Sequence, residues 1–518
     1  MTDVDISPAT AIAHLARRAP LTMSIRYEDR TLTAAQVHDE AARLAGVLAA
    51  AGVTLGDRVA YLGSNSPTLL LTLLACARLG AVFVPLNVRL VAGEIRYVLA
   101  RCGAHTVLVE ADLADRCEPI TRKTPVRRWL LADDGASGAP PAPRPGWART
   151  TDVGGLGDAP PALPRTFDDL AVLMHTSGTT GRPKGVMLTH GNLWWSAVNI
   201  DEVFDTRNDD VNLAVAPLFH IGGLNAFTLR TLVRGGTVVV RRRFDAERTL
   251  ADLARHHVTS VFGVPVMFAA VARCPGFGDA DLSGVRAAIV AGAPVPAPLI
   301  AEYADRGMLL QQAWGMTETA PAATYLPASR TRDKAGSAGV PMPYTRIRLV
   351  DPVSGRDIDD TRTAGELLVH GPNVTPGYWD DPDATRAAFT DDGWLRTGDL
   401  AERDSEGFIS IVGRRTEVIN SGGENVYPME VERALRILPG VTDVAVVGVP
   451  DPVWGETVAA VLECPDGAAP SLEDVREVAA RTIARYKLPT RVISVRELPR
   501  DATGKVDRCA LRAVALCG

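Results

Sequence analysis

A ten-residue run, Thr176 to Gly185 (TSGTTGRPKG), separates two apolar segments and sets the terms for the rest of the chain. Leu170 to Met174 ahead of it reads as a buried strand, and from Met187 the sequence returns to strand or helix. The run between them cannot bury a core. Its glycines let backbone N–H groups converge on an anion. Thr176, Ser177, Gly178, Thr179 and Thr180 form its hydroxyl-rich half, and Lys184 adds a mobile positive charge. That is the make-up of a phosphate-holding loop. Read alone, a Gly/Ser/Thr-rich surface turn is an equal alternative. A Walker loop is excluded, because Pro183 precedes the lysine and Gly185 follows it.

The flanking sequence alternates strand and helix. Ala34 to Ala51 has apolar residues at helical spacing and stops at Gly52; Arg58 to Leu62 reads as strand, Ser66 to Leu79 as helix closed by Gly80, and Ala81 to Leu86 as buried strand. This alternation predicts a largely parallel, helix-covered sheet. Residues 133–164, dense in Gly, Pro and Ala, read as an irregular surface crossing. Around 346–351 and 366–370 the pattern shifts to short, turn-bounded strands, which predicts a β-rich subdomain. From Tyr427 on, it becomes a compact α+β unit with helices over 428–438 and 472–484.

Three further stretches carry chemistry. In Trp314-Gly315-Met316-Thr317-Glu318, a buried strand runs into glycine, a hydroxyl and an acid, at the strand end where α/β sheets bind ligands. Asp399 closes the run from Gly393. A carboxylate there can accept from two adjacent hydroxyls, though a turn residue is the commoner reading. Pro499 to Lys505 is a glycine-containing loop ending in a lysine, which alone would read as a solvent-facing charge.

Together, in this order and spacing, these motifs resemble the adenylate-forming (AMP-binding) superfamily, particularly the fatty-acyl- and aryl-CoA ligases. The resemblance covers nearly the whole chain, with His175 standing where many members have an aromatic residue. It implies a multidomain α/β fold: a large N-terminal portion (1–414) of layered α/β subdomains with a β-rich subdomain, and a small mobile α+β C-terminal cap (415–518). It implies ATP, Mg2+ and coenzyme A as cofactors. Thr317 is expected on the α-phosphate, Glu318 on magnesium, Trp314 against adenine, and Asp399 and Arg414 on ribose. Lys505 is expected as the catalytic lysine of adenylation, with positive charge following the charge that develops in transit. The hinge position, usually Asp or Lys, is Thr416 here. Gly422 and Gly423 lie in the segment the family uses for the thioester step.

The same resemblance places His220, Gly222, Gly292, Ala293, Gly315 and Met316 around the acid, with His220 as a gate or a packed residue. This lining is apolar and small-residued, which favours a hydrophobic carboxylic acid. It lacks the aspartate of amino-acid-activating relatives and any Lys or Arg for a dicarboxylate. The leading expectation is activation of the acid as acyl-adenylate and transfer to coenzyme A. The alternatives are an adenylating enzyme that passes acyl-AMP to a carrier protein or partner enzyme, and a nucleotide-binding module without turnover.

Composition narrows the partners. A net charge of −6 and 5% aromatics argue against nucleic acid. Seven scattered cysteines without a metal-binding pattern suggest free thiols in the cytoplasm. The most apolar run, Leu69 to Ala77, is too short to span a bilayer, so no stable membrane association is expected. A homodimer is left open.

Overall fold

The computed structural model describes residues 4–132, 144–151, 159–176, 183–361, 363–421, 424–452, 454–465, 467, 469–500 and 506–517. They form two compact units, residues 1–346 with 369–395, and residues 347–368 with 396–518. The sequence expectation divides the chain into an N-terminal portion, 1–414, and a C-terminal cap, 415–518. The compact units are instead defined by packing, which groups the β-rich segments 347–368 and 396–414 with the C-terminal residues.

The first unit contains two sheets. One has seven strands in the order Trp147–Arg149, Arg128–Ala132, Thr106–Glu110, Arg58–Leu62, Val82–Leu86, Leu170–Thr176 and Lys184–Thr189. All neighbours are parallel except the last pair. The other has nine strands; its central run from Met23–Tyr27 to Leu310–Trp314 is parallel and its margins are antiparallel. The main core joins inward residues of both sheets (Val59, Tyr61 and Phe83 with Ile25, Val238 and Val240) to helices Ala34–Ala50 and Pro67–Leu79.

The Pro67–Leu79 helix is buried at every position but Thr68 and Arg78, as its all-round apolarity requires. Ser66 caps it by accepting from the Leu69 N–H (3.2 Å), and Gly80 at φ 67° ends it. Thus the most apolar run of the chain is a core helix. Among the described residues no helix is long and apolar enough to cross a membrane.

The second unit carries a four-stranded sheet (Arg346–Val350, Gly365–His370, Leu395–Arg403, Ile409–Arg414) and a five-stranded sheet of C-terminal residues. In the latter, Asp443–Asp451 and Gly455–Glu463 pair antiparallel over nine positions, and Arg491–Val495 adds in parallel.

Three local expectations are corrected. Within the stretch read as irregular, Trp147–Arg149 forms a strand, held by pairing with Arg128–Ala132 and by Trp147 against Trp129 (4.9 Å between ring centroids). The Leu472 helix ends at Ala479, and the polypeptide tightens into a 3-10 turn at Arg485–Lys487. A helix over Arg508–Cys517, not anticipated, packs Leu511 and Ala515 on the C-terminal sheet.

Candidate active site

In the first unit, the strands Leu170–Thr176 and Lys184–Thr189 form an antiparallel hairpin, so of the two readings for the segment after the loop it is the strand that forms. Its register pairs Thr176 with Lys184 and His175 with Gly185. Ser177, Gly178, Thr179 and Thr180 lie outside the described residues. Strand alternation gives the hairpin two faces. Val172, Met174, Val186 and Leu188 join the main core with Tyr378, whereas Leu173, Met187 and Trp379 join a second cluster with Tyr97.

On the second face, a cleft of about 300 Å³ is lined by Tyr97, Arg101, His175, Lys184, Trp379 and Asp381. His175 Nδ1 is buried there without a hydrogen-bond partner among the described residues. Burial, reinforced by the Arg101 charge, lowers its pKa to about 4, so the ring is neutral at physiological pH.

The acid-bearing turn follows the Leu310–Trp314 strand. Gly315 and Met316 are followed by a 3-10 turn at Thr317–Thr319. Thr319 Oγ1 accepts from the Met316 N–H (2.9 Å) and donates to the Pro321 carbonyl (2.8 Å). Asn373 Nδ2 donates to the Thr319 and Ala322 carbonyls (2.9 and 3.0 Å), and Asn225 Nδ2 to the Ala320 carbonyl (2.8 Å). The backbone of this turn is therefore fixed from three sides. Glu318 is only 6% exposed, and its Oε1 accepts from the Tyr378 hydroxyl at 2.9 Å. Burial, and then the Glu318 charge, push the Tyr378 hydroxyl far above its ordinary pKa, so it stays a donor. The Lys184 ammonium lies over the Tyr378 ring, 5.0 Å from its centroid.

Magnesium fits this donor set in one way. No group of three or more His, Cys, Asp or Glu among the described residues could hold a metal. A single hard carboxylate, Glu318, completed by phosphate oxygens and water is how Mg2+ is ordinarily bound.

The residues expected around the acid include glycines with differing reasons to be small. A Cβ at Gly223 would lie 2.2 Å from the Pro217 carbonyl, and one at Gly315 only 2.0 Å from the Pro321 carbonyl. Both are set by backbone packing. At Gly222 a Cβ would meet the Phe262 ring at 2.4 Å, so this glycine leaves the ring its place. At Gly292 it would meet only Val264 Cγ1 at 3.5 Å, and Ala293 beside it is exposed. His220 precedes the short helix Ile221–Gly223, with its ring 4.6 Å from that of Phe219. Trp314 and Met316 are half-buried.

The second unit holds the other expected residues. Asp399 and Arg414 face each other across antiparallel strands, and Arg414 Nε lies 2.8 Å from Asp399 Oδ1. Asp399 is buried, and its N–H donates to Thr397 Oγ1 (3.0 Å). Thr416 occupies the 3-10 turn Arg415–Glu417. Ion pairs flank it. Arg415 lies 3.8 Å from the buried Glu366, and Glu417 lies 3.7 Å from Arg508 of the C-terminal helix. Lys505, Gly422 and Gly423 lie outside the described residues, while Arg500 and Val506 pair across residues 501–505.

Sequence reasoning missed Tyr378, Thr375, Asn373 and Asn225. The only local signal for the first was a glycine followed by two aromatics, Gly377-Tyr378-Trp379.

Comparison with known proteins matches residues 12–379 to the model of the AMP-binding enzyme family, and residues 430–505 to that of the AMP-binding enzyme C-terminal domain. A feruloyl-CoA synthase of Amycolatopsis sp is 42% identical over 491 residues, covering 95% of each chain. An indoleacetate–CoA ligase of Aromatoleum aromaticum is 41% identical over 495 residues, again 95% of each. Among solved structures, the o-succinylbenzoate CoA synthetase of Bacillus subtilis, in complex with its acyl-adenylate intermediate, superimposes with a TM-score of 0.85. It is 32% identical and covers 97% of both chains.

Proposed function

The chain belongs to the AMP-binding enzyme family, and from that premise we propose that the acid it activates is an aryl-bearing monocarboxylic acid of the arylpropenoate or arylacetate kind. The enzyme is an AMP-forming acid–thiol ligase that activates a hydrophobic carboxylic acid with ATP and transfers it to coenzyme A. A carboxylate oxygen bonds the α-phosphorus as pyrophosphate leaves. The thiol sulfur then attacks the acyl carbon, AMP leaves, and the thiol proton is released.

The substrate reading is carried by the chemistry of the expected lining, which is apolar and small-residued, and no Lys or Arg stands among the expected lining residues to meet a second carboxylate. The names of the feruloyl- and indoleacetate-activating relatives support the same class. A pyrophosphate-release screen over aryl, fatty and dicarboxylic acids is the test. Aryl acids are expected to give the highest kcat/KM and dicarboxylates the lowest; a preference for dicarboxylates would overturn the reading. Run with coenzyme A, the same screen is expected to yield thioester. Adenylate accumulating without thioester would point instead to a carrier protein as acceptor.

The residue roles follow the family pattern position by position. Thr176, Ser177, Gly178, Thr179, Thr180 and Lys184 hold the β- and γ-phosphates, Thr317 the α-phosphate, and Trp314 lies against adenine. Glu318 would hold Mg2+, which when bound neutralises phosphate charge. Asp399 accepts from the ribose hydroxyls and Arg414 orients it. Asp399→Asn is accordingly expected to raise the KM for ATP about 10- to 100-fold, the scale for hydrogen bonds to a charged group, with the acid's KM unchanged. An unchanged ATP KM in steady-state kinetics would remove Asp399 from the nucleotide site. Thr416 is the proposed hinge. Ion pairs anchor the turn separately on each side of it, Arg415 to Glu366 before Thr416 and Glu417 to Arg508 after it, and neither pair crosses the hinge residue. The free thiols of Cys76, Cys102, Cys117, Cys274, Cys464 and Cys509 suit the cytoplasm, where we place the enzyme.

A further inference from the structure

Residues 373–378 form a strap between the phosphate hairpin and the acid-bearing turn. Towards the turn, Asn373 Nδ2 holds the Thr319 and Ala322 carbonyls, and the Thr375 N–H donates to the Glu318 carbonyl (2.8 Å). Towards the hairpin, the Met187 N–H donates to the Gly377 carbonyl (3.0 Å), and Val186 and Tyr378 pair as an isolated bridge. Asn192 Nδ2 also donates to the Pro372 and Val374 carbonyls (2.9 and 2.8 Å). Gly377 sits at φ 141° with no room for a Cβ beside Thr385, and Thr385 Oγ1 in turn accepts from the Tyr378 N–H (3.0 Å). The Tyr378 backbone is therefore fixed on both sides, which sets the direction in which its Cα–Cβ bond leaves the strap.

That direction joins the two charged groups of the site. The hydroxyl donates to Glu318 Oε1 at 2.9 Å, while the ring face carries the Lys184 ammonium 5.0 Å from its centroid. We propose that Tyr378 is a positioning residue: its hydroxyl orients the Glu318 carboxylate that would hold the metal, and its ring face seats the Lys184 ammonium beside it. This rests on the reading of Glu318 as the magnesium-holding acid.

The test uses the full-length enzyme and calorimetric ATP binding with and without Mg2+, alongside adenylation kinetics. Tyr378→Phe keeps the ring and removes the hydroxyl. It is expected to shrink the affinity gain that Mg2+ confers on ATP about 10-fold and to raise the half-saturating Mg2+ to a similar degree, as for loss of a residue orienting a metal ligand. Metal-free ATP affinity and the acid's KM should stay unchanged. Tyr378→Leu, which also removes the ring under Lys184, should weaken metal-free ATP binding several-fold as well. Glu318→Gln should abolish the Mg2+ effect, and the double variant E318Q/Y378F should equal E318Q alone, because the hydroxyl acts through the carboxylate. A normal Mg2+ effect in Y378F beside a lost one in E318Q overturns the positioning role. A normal Mg2+ effect in E318Q overturns the reading of Glu318 instead. Unchanged melting temperature in Y378F separates either result from misfolding.

Discussion

Lys505→Ala is expected to slow adenylation about 10²- to 10³-fold, equivalent to about 2.7–4 kcal/mol of lost transition-state stabilisation. In the first half-reaction an anionic carboxylate approaches an anionic phosphate, and the barrier is largely the cost of bringing like charges together. A lysine that bridges the two stabilises them most when charge is passing from one to the other, so its loss falls on kcat rather than on ground-state binding. The second half-reaction involves a neutral acyl carbon and a departing AMP and makes no such demand. Thioester formation from supplied acyl-adenylate and coenzyme A should therefore proceed at a near-normal rate in the same variant. Lys505→Arg should recover only part of the loss, because a planar guanidinium does not reproduce a compact ammonium. Pyrophosphate release from acid and ATP measures the first step, and thioester yield from synthetic adenylate the second. A near-normal rate of pyrophosphate release in K505A would refute the assignment.

The elements that the sequence foretold best are those whose ends carry their own chemistry. The Pro67–Leu79 helix is bounded by a capping serine and a left-handed glycine, both visible without any tertiary knowledge. The Trp147–Arg149 strand has no such markers. It exists because Arg128–Ala132 offers it an edge, which no window of local sequence contains. The hairpin of Leu170–Thr176 and Lys184–Thr189 was half legible: strand and loop were read, but the antiparallel return was not, since pairing partners are a property of the sheet. In the site, Glu318 could be found because glycine, hydroxyl and acid follow a buried strand within a few residues. Tyr378 could not, because it meets Glu318 across sixty positions of chain and meets Lys184 from a strap that sequence reading passed over. Smallness was the most ambiguous signal. Gly222, Gly223, Gly292 and Gly315 look alike in sequence, yet Gly292 is held to glycine by its φ of 89°, while Gly223 and Gly315 are fixed by carbonyls closing in on them.

That distinction gives the second large effect, Gly315→Ala. The added Cβ would stand 2.0 Å from the Pro321 carbonyl oxygen and 2.8 Å from Ala322 Cα, both backbone atoms. Neither can swing aside as a side chain would. The Ala320–Ala322 segment is held by Asn225 and Asn373, so the strain passes into the turn that carries Thr317 and Glu318. Overpacking of this kind costs about 1–3 kcal/mol, occasionally more. The larger consequence is geometric: a shift on the order of 1 Å in catalytic groups costs about 10²-fold in rate. Gly315→Ala should therefore fold, melt several degrees lower, and adenylate about 10²-fold more slowly at saturating acid. Gly284→Ala is the matched control, because a Cβ there meets nothing within 4 Å and should leave rate and melting temperature unchanged. If Gly315 were small only to admit substrate, the variant would instead keep its melting temperature and its rate with a smaller acid, losing activity only with bulky ones. Pyrophosphate release measured with both a small and a bulky acid, beside the melting curve, decides between a turn that has moved and a pocket that has narrowed.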